Sequence, residues 1–89
     1  MNRSEILDTA KVYVTRDRAA THGDMERNFE TIAAYWSIHL DVNVTSTDVA
    51  VMMALLKAAR IKENEGHADN WVDGAGYFAC GGDIATSIG

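Results

Sequence analysis

Two carboxylates one helical turn apart, Asp69 and Asp73, and two cations three residues apart, Lys57 and Arg60, have types and spacing suited to chemistry. On helices each pair would share a face. Cations so placed bind phosphate, and paired carboxylates hold a metal ion, a ribose or a base. The plain structural alternative is a set of interhelical salt bridges that fix helix register. Three further residues extend the group. In "THGD", His22 stands beside Gly23 at the start of a helix, where free backbone N–H groups receive anions. Asn28 and Asn70 supply amides at the same end of the molecule, while Asp24 most simply caps the second helix.

These side chains meet only if the elements carrying them are helices that pack side by side. Apolar spacing, with start and stop signals, predicts four. The first runs from Ser4 as N-cap to Arg18, with Ile6, Leu7, Ala10, Tyr13 and Val14 inward. A second spans Gly23 or Asp24 to Leu40 on a stripe of Met25, Phe29, Ile32, Ala33, Trp36 and Leu40. The third follows "TSTD", where Thr45 and Asp48 have capping-box spacing, and reaches Asn64. Residues 49–56 are apolar on every side, which predicts the central helix. The fourth begins near Ala68 or Asp69 and ends near Ser87. "DVNVT" alternates like a strand, but five residues alone cannot make a sheet.

Short turns make successive helices antiparallel neighbours. Counting outward from Gly66 sets Arg60 across from Asp69, Lys57 across from Asp73, Met53 across from Tyr77 and Val49 across from Cys80. Counting from Asn43 sets Trp36 near Met52 and Phe29 near Arg60. Asp69, Asp73, Gly76, Tyr77, Cys80 and Ile84 then form one inward stripe, so the carboxylates need partners, and Lys57 and Arg60 are the candidates. Glu26 and Glu30 lie beside the apolar stripe of the second helix and read first as a solvated face. Trp36 and Trp71 read as core or interface anchors, with Trp71 also placed to stack on a base.

Gly74, Gly76, Gly81 and Gly82 each cost a helix about 1 kcal/mol relative to Ala. Close approach to a neighbouring helix or to a second subunit is the expected return; the alternative is that "GG" ends the helix. A lone cysteine, Cys80, excludes an internal disulfide and reads as a buried structural thiol. His39 and His67 have no partner at metal-ligand spacing.

At 89 residues the chain is read as one α-helical domain, residues 1–89, whose small core makes assembly into a homo-oligomer an expectation. A net charge of −5 argues against a protein that coats bulk nucleic acid. No apolar run reaches the roughly 18 residues of a membrane span, and "MNRSEILD" is acidic too early for a signal peptide. A cytoplasmic protein is expected.

The blocks "HGDMERNFETIAAYW", "DVAVMMALLKAARIKEN" and "DNWVDGAGYFA", spanning His22 to Ala79, resemble a family of small phage and prophage proteins. That family is distantly similar to the MazG-like all-α nucleotide pyrophosphohydrolases, oligomeric bundles that hold Mg²⁺ on acidic residues of two helices. The MazG-type first motif, a Glu-Glu pair followed by a Glu one turn on, is missing here, with Glu26 and Glu30 at most a remnant of it, and the second, a Glu and an Asp three apart, is replaced by Asp69 and Asp73, four apart.

The expectation is an all-α, antiparallel four-helix bundle that oligomerises through its helices and binds a phosphate-bearing nucleotide. His22, Lys57 and Arg60 would hold phosphate; Asn28, Asp69, Asn70 and Asp73 would hold sugar or base. In a phage setting this could sequester a host signalling nucleotide. The resemblance implies an enzymatic alternative, Mg²⁺-dependent pyrophosphohydrolysis with Asp69, Asp73, Glu26 and Glu30 as ligands. A third reading is a non-enzymatic interaction or inhibitor module that docks through its glycine-rich helix.

Overall fold

The computed structural model describes residues 1–17 and 25–87, and these form four α-helices and one π-helical turn with no strand. Helix α1 (Arg3–Val12) runs into the π turn Tyr13–Asp17. Helices α2 (Met25–Leu40), α3 (Ser46–Glu63) and α4 (Ala68–Thr86) follow. The all-α bundle expected from sequence is the observed fold, and "DVNVT" is the connection between α2 and α3. His22, Gly23 and Asp24 lie outside the described residues.

Local chemistry sets the boundaries. The N-cap of α1 is Asn2, not Ser4, because Asn2 sits three residues before Glu5. The Asn2 side chain accepts from the Glu5 N–H at 2.8 Å, and the Glu5 carboxylate accepts the Asn2 N–H at 3.0 Å. Ser4 is followed three residues later by Leu7, which cannot return such a bond. Helix α2 ends at Asp41, held at φ 54° in the left-handed region that closes many helices. The Ser37 hydroxyl then accepts the Val44 N–H at 2.8 Å and donates to the Val44 carbonyl at 3.1 Å. Directly after it comes the capping box of Thr45 and Asp48, as the sequence predicts.

Packing corrects the expectation for the central helix. Helix α4 packs on α3 along much of its length and also on α1 and α2, whereas α2 packs chiefly on α3. The core joins Phe29 and Ala33 of α2 to Val49 and Ala50 of α3, with Met53, Trp36, Tyr77 and Cys80 partly buried around them. The Phe29 and Tyr77 rings lie 6.2 Å apart. Only one stripe of α3 is buried, Val49, Ala50, Ala54 and Lys57. Its other side leaves Val51, Met52, Leu55 and Leu56 exposed by 42, 40, 60 and 44%. Leu7 and Leu40, expected inward, are also exposed. Leu7 misses the α1 contact made through Ala10, and Leu40 lies in the last turn of α2.

The α2–α3 register differs from simple counting as well. Phe29 shares its core with Val49 and Ala50 in the first turns of α3, not with Arg60. Ten residues of helix separate Ala50 from Arg60, about 15 Å at the helical rise. Helix α2 therefore crosses the N-terminal part of α3. Helix α4 continues through both members of "GG" to Thr86, so the glycines do not end it. A Cβ on Gly81 would lie 2.8 Å from the Ala50 Cβ, and one on Gly76 would lie 3.0 Å from Val14 Cγ1. Two of the four glycines therefore serve close approach inside the chain.

Candidate ligand cleft and buried ion pair

Where α3 and α4 run side by side, Lys57 Nζ meets an Asp73 carboxylate oxygen at 2.9 Å. Both side chains are nearly buried, 11% and 15% exposed. The pairing follows from helical spacing. Lys57 stands one turn beyond Ala54 on the buried stripe of α3, and Asp73 stands one turn before Tyr77 on the facing stripe of α4. Desolvation makes such a pair costly unless the partners are held close, and truncating one partner would strand the other charge. Asp73 engages in a further interaction, as do Asn28 and Tyr13.

The other expected site residues fall into four groups. Asn70, one turn before Asp73, is buried at 7% exposure and belongs to the same stripe. Asp69 and Arg60 are both exposed, and no ion pair joins them among the described residues. The inward stripe of α4 therefore begins at Asn70, one residue round from Asp69, whose place in the first turn leaves it uncovered. On α2, Asn28 is half-buried beside Phe29, while Glu26 and Glu30 are exposed. His22 lies outside the described residues.

Because α2 crosses the other end of α3, Glu26 does not approach Asp69. It lines instead a cleft of about 430 Å³ between α1, α2 and α4, together with Asp83, Cys80 and Lys11. Burial pushes the half-buried Cys80 thiol up from its usual pKa, and the negative charges of Asp83 and then Glu26 push it further. Among the described residues no three or more His, Cys, Asp or Glu side chains come together in a way that could hold a metal ion. Asp69, Asp73, Glu26 and Glu30 thus do not gather into one ligand set.

A second cleft, of about 390 Å³, opens between α1, α3 and α4, and Lys57 of the ion pair is among its lining residues. Ala54, Lys57, Ala58 and Gly74 line it, together with the aromatic residues Trp71 and Phe78. These two rings are seven residues apart on α4 and so share a face. Trp71 is 46% exposed and Phe78 59%. The indole N–H of Trp71 donates to the Glu65 carbonyl at 2.9 Å, a bond in the plane of the ring that fixes its orientation. Phe78 was not singled out from sequence. Its seven-residue spacing from Trp71 was the available signal, masked by the glycines between them.

The geometry defines a small all-α bundle with an apolar cleft lined by Trp71, Phe78 and the Lys57 of a buried Lys–Asp pair. The chain belongs to the family described as a domain of unknown function, DUF6378, whose model matches residues 5–85. It is similar to the "Gene 55 protein" of Mycobacterium phage L5, with 48% identity over 73 residues, covering 81% of this chain and 47% of that protein. It is also similar to the "Gene 55 protein" of Mycobacterium phage D29, with 36% identity over 75 residues, covering 84% of this chain and 50% of that protein. The chain thus spans about half the length of these phage relatives. No solved structure matches it. Among the described residues no helix is long and apolar enough to cross a membrane.

Proposed function

We propose that the chain binds a phosphate-bearing nucleotide by affinity alone, with the base in the cleft against Trp71 and Phe78. The observation that carries this reading is the pairing of two exposed aromatic rings, one fixed by its own hydrogen bond, in a cleft of about 390 Å³. Such clefts fall in the size range of small-molecule sites, and aromatic faces stack on any base. Lys57 lines the cleft, and Arg60, one turn further along α3, is an exposed cation for phosphate. The distant similarity of the phage protein family to the MazG-like enzymes, read from sequence, also favours a nucleotide as the ligand. Similarity to phage proteins fits sequestration of a host signalling nucleotide as the biological use.

Fluorescence titration with AMP, ATP and a cyclic dinucleotide, with inorganic phosphate as control, tests the reading. A nucleotide should quench Trp71, and the quench should vanish in Trp71→Phe, which retains Trp36. Phe78→Ala should weaken binding about 5- to 100-fold through lost stacking, and Arg60→Ala about 10-fold through a lost charge-assisted bond. No response to any nucleotide at millimolar concentration, or affinity unchanged in both variants, would refute it. Release of pyrophosphate from ATP with Mg²⁺ would replace capture by hydrolysis.

A further inference from the structure

A helix that is apolar on every side belongs in an interior, yet α3 is half bare. Val51, Met52, Leu55 and Leu56 are all exposed, and Ala59 continues the same face. These residues are spaced at three and four, so they form one continuous seam along the helix. The seam is distinct from the buried stripe of Val49, Ala50, Ala54 and Lys57 that faces the rest of the chain. The glycines of α4 do not supply a competing surface of equal quality, because Gly76 and Gly81 are already filled by Val14 and Ala50.

We infer that this face is covered by the α3 of a second copy of the chain, packed antiparallel about a two-fold axis at Leu55. The charges choose that occupant and that direction. Asp48 and Lys62 are exposed, bracket the seam, and each stand seven residues from Leu55. In an antiparallel pair centred on Leu55, residues equidistant from it on opposite sides face each other, so Asp48 of each copy meets Lys62 of the other. The two-fold axis makes this contact twice, as an isologous interface requires. A parallel pair would set Asp48 against Asp48 and Lys62 against Lys62, which is repulsive at both ends. The same antiparallel register brings Val51 to Ala59, a large residue to a small one. This inference is independent of nucleotide binding, since none of the seam residues Val51, Met52, Leu55, Leu56 and Ala59 lines the aromatic-walled cleft.

A seam of three turns is a small interface, below about 1,200 Å² in total, so association is expected at roughly 10–100 µM protein. Sedimentation equilibrium up to 500 µM, as an order-of-magnitude ceiling, should show a species of twice the 9.7 kDa chain mass. Leu55→Glu places two like charges at the axis and should weaken dimerisation at least ~100-fold. Leu55 is exposed, so circular dichroism of the variant should retain the helical signal. For direction, Leu55→Cys in a Cys80→Ser background should oxidise to a covalent dimer. Val51→Cys alone should not, because its two copies would lie about 12 Å apart along the axis, whereas a mixture of Val51→Cys and Ala59→Cys chains should cross-link. A chain that stays at 9.7 kDa throughout, a Leu55→Glu dimer as tight as the parent, or efficient Val51→Cys homodimers would each overturn the proposal.

Discussion

Gly81 and Gly82 are adjacent residues in the same helix, and Ala substitution should move stability in opposite directions at the two positions. In a helix interior, Gly→Ala is worth about 1 kcal/mol in favour of the folded state, mostly by restricting the unfolded chain. At Gly82 a new Cβ meets nothing within 4 Å, so the full gain is expected. At Gly81 it would sit 2.8 Å from the Ala50 Cβ, a separation that real Cβ atoms do not tolerate. Neither atom can rotate away, so α3 and α4 must part by close to an ångström along the line that also holds Lys57 to Asp73. Overpacking of that kind costs about 1–3 kcal/mol, and after the propensity gain of about 1 kcal/mol the net loss should reach up to about 2 kcal/mol. Urea unfolding at one fixed protein concentration measures both. Near the melting point, each kcal/mol corresponds to about 4–8 °C for a domain of this size. Gly82→Ala should melt higher than the parent and Gly81→Ala lower. If both raise stability equally, α3 and α4 are not in close contact at Ala50 and the register described above fails.

Two further predictions use the interior. Lys57→Met and Asp73→Leu should each destabilise the fold by about 2–4 kcal/mol, somewhat below a fully buried pair because both side chains keep slight exposure. The double variant should lose much less than the sum, and additivity in urea unfolding would show the pair to be uncoupled. Cys80, its pKa raised by burial and by Asp83 and Glu26, carries less thiolate at neutral pH than an ordinary cysteine. Its alkylation by iodoacetamide should therefore lag behind a model thiol at pH 8 and accelerate as pH rises. Combining Asp83→Asn with Glu26→Gln should speed it at fixed pH; an unchanged rate would mean that burial alone sets the reactivity.

The parts of this molecule legible in its sequence were those governed by one helix or one turn. The Thr45 and Asp48 box needs only two residues at fixed spacing. Lys57 finds Asp73 because a short turn fixes the register of α3 against α4. What could not be read depends on crossing geometry between helices that are not joined by a tight, symmetric turn. Helix α2 ends in the left-handed Asp41 and the Ser37–Val44 clasp, which steer it across the first turns of α3. That crossing takes Glu26 toward Cys80 and Asp83 and away from Asp69, and separates the acidic residues that the MazG-like resemblance would group. The same crossing leaves the outer side of α3 bare. Residues 49–56 do carry the composition of an interior helix, and one chain buries only half of that circumference. Composition specifies how much surface must be covered, whereas topology decides whether the chain itself can cover it; in α3 the two disagree, and the proposed pairing with a second copy would satisfy both.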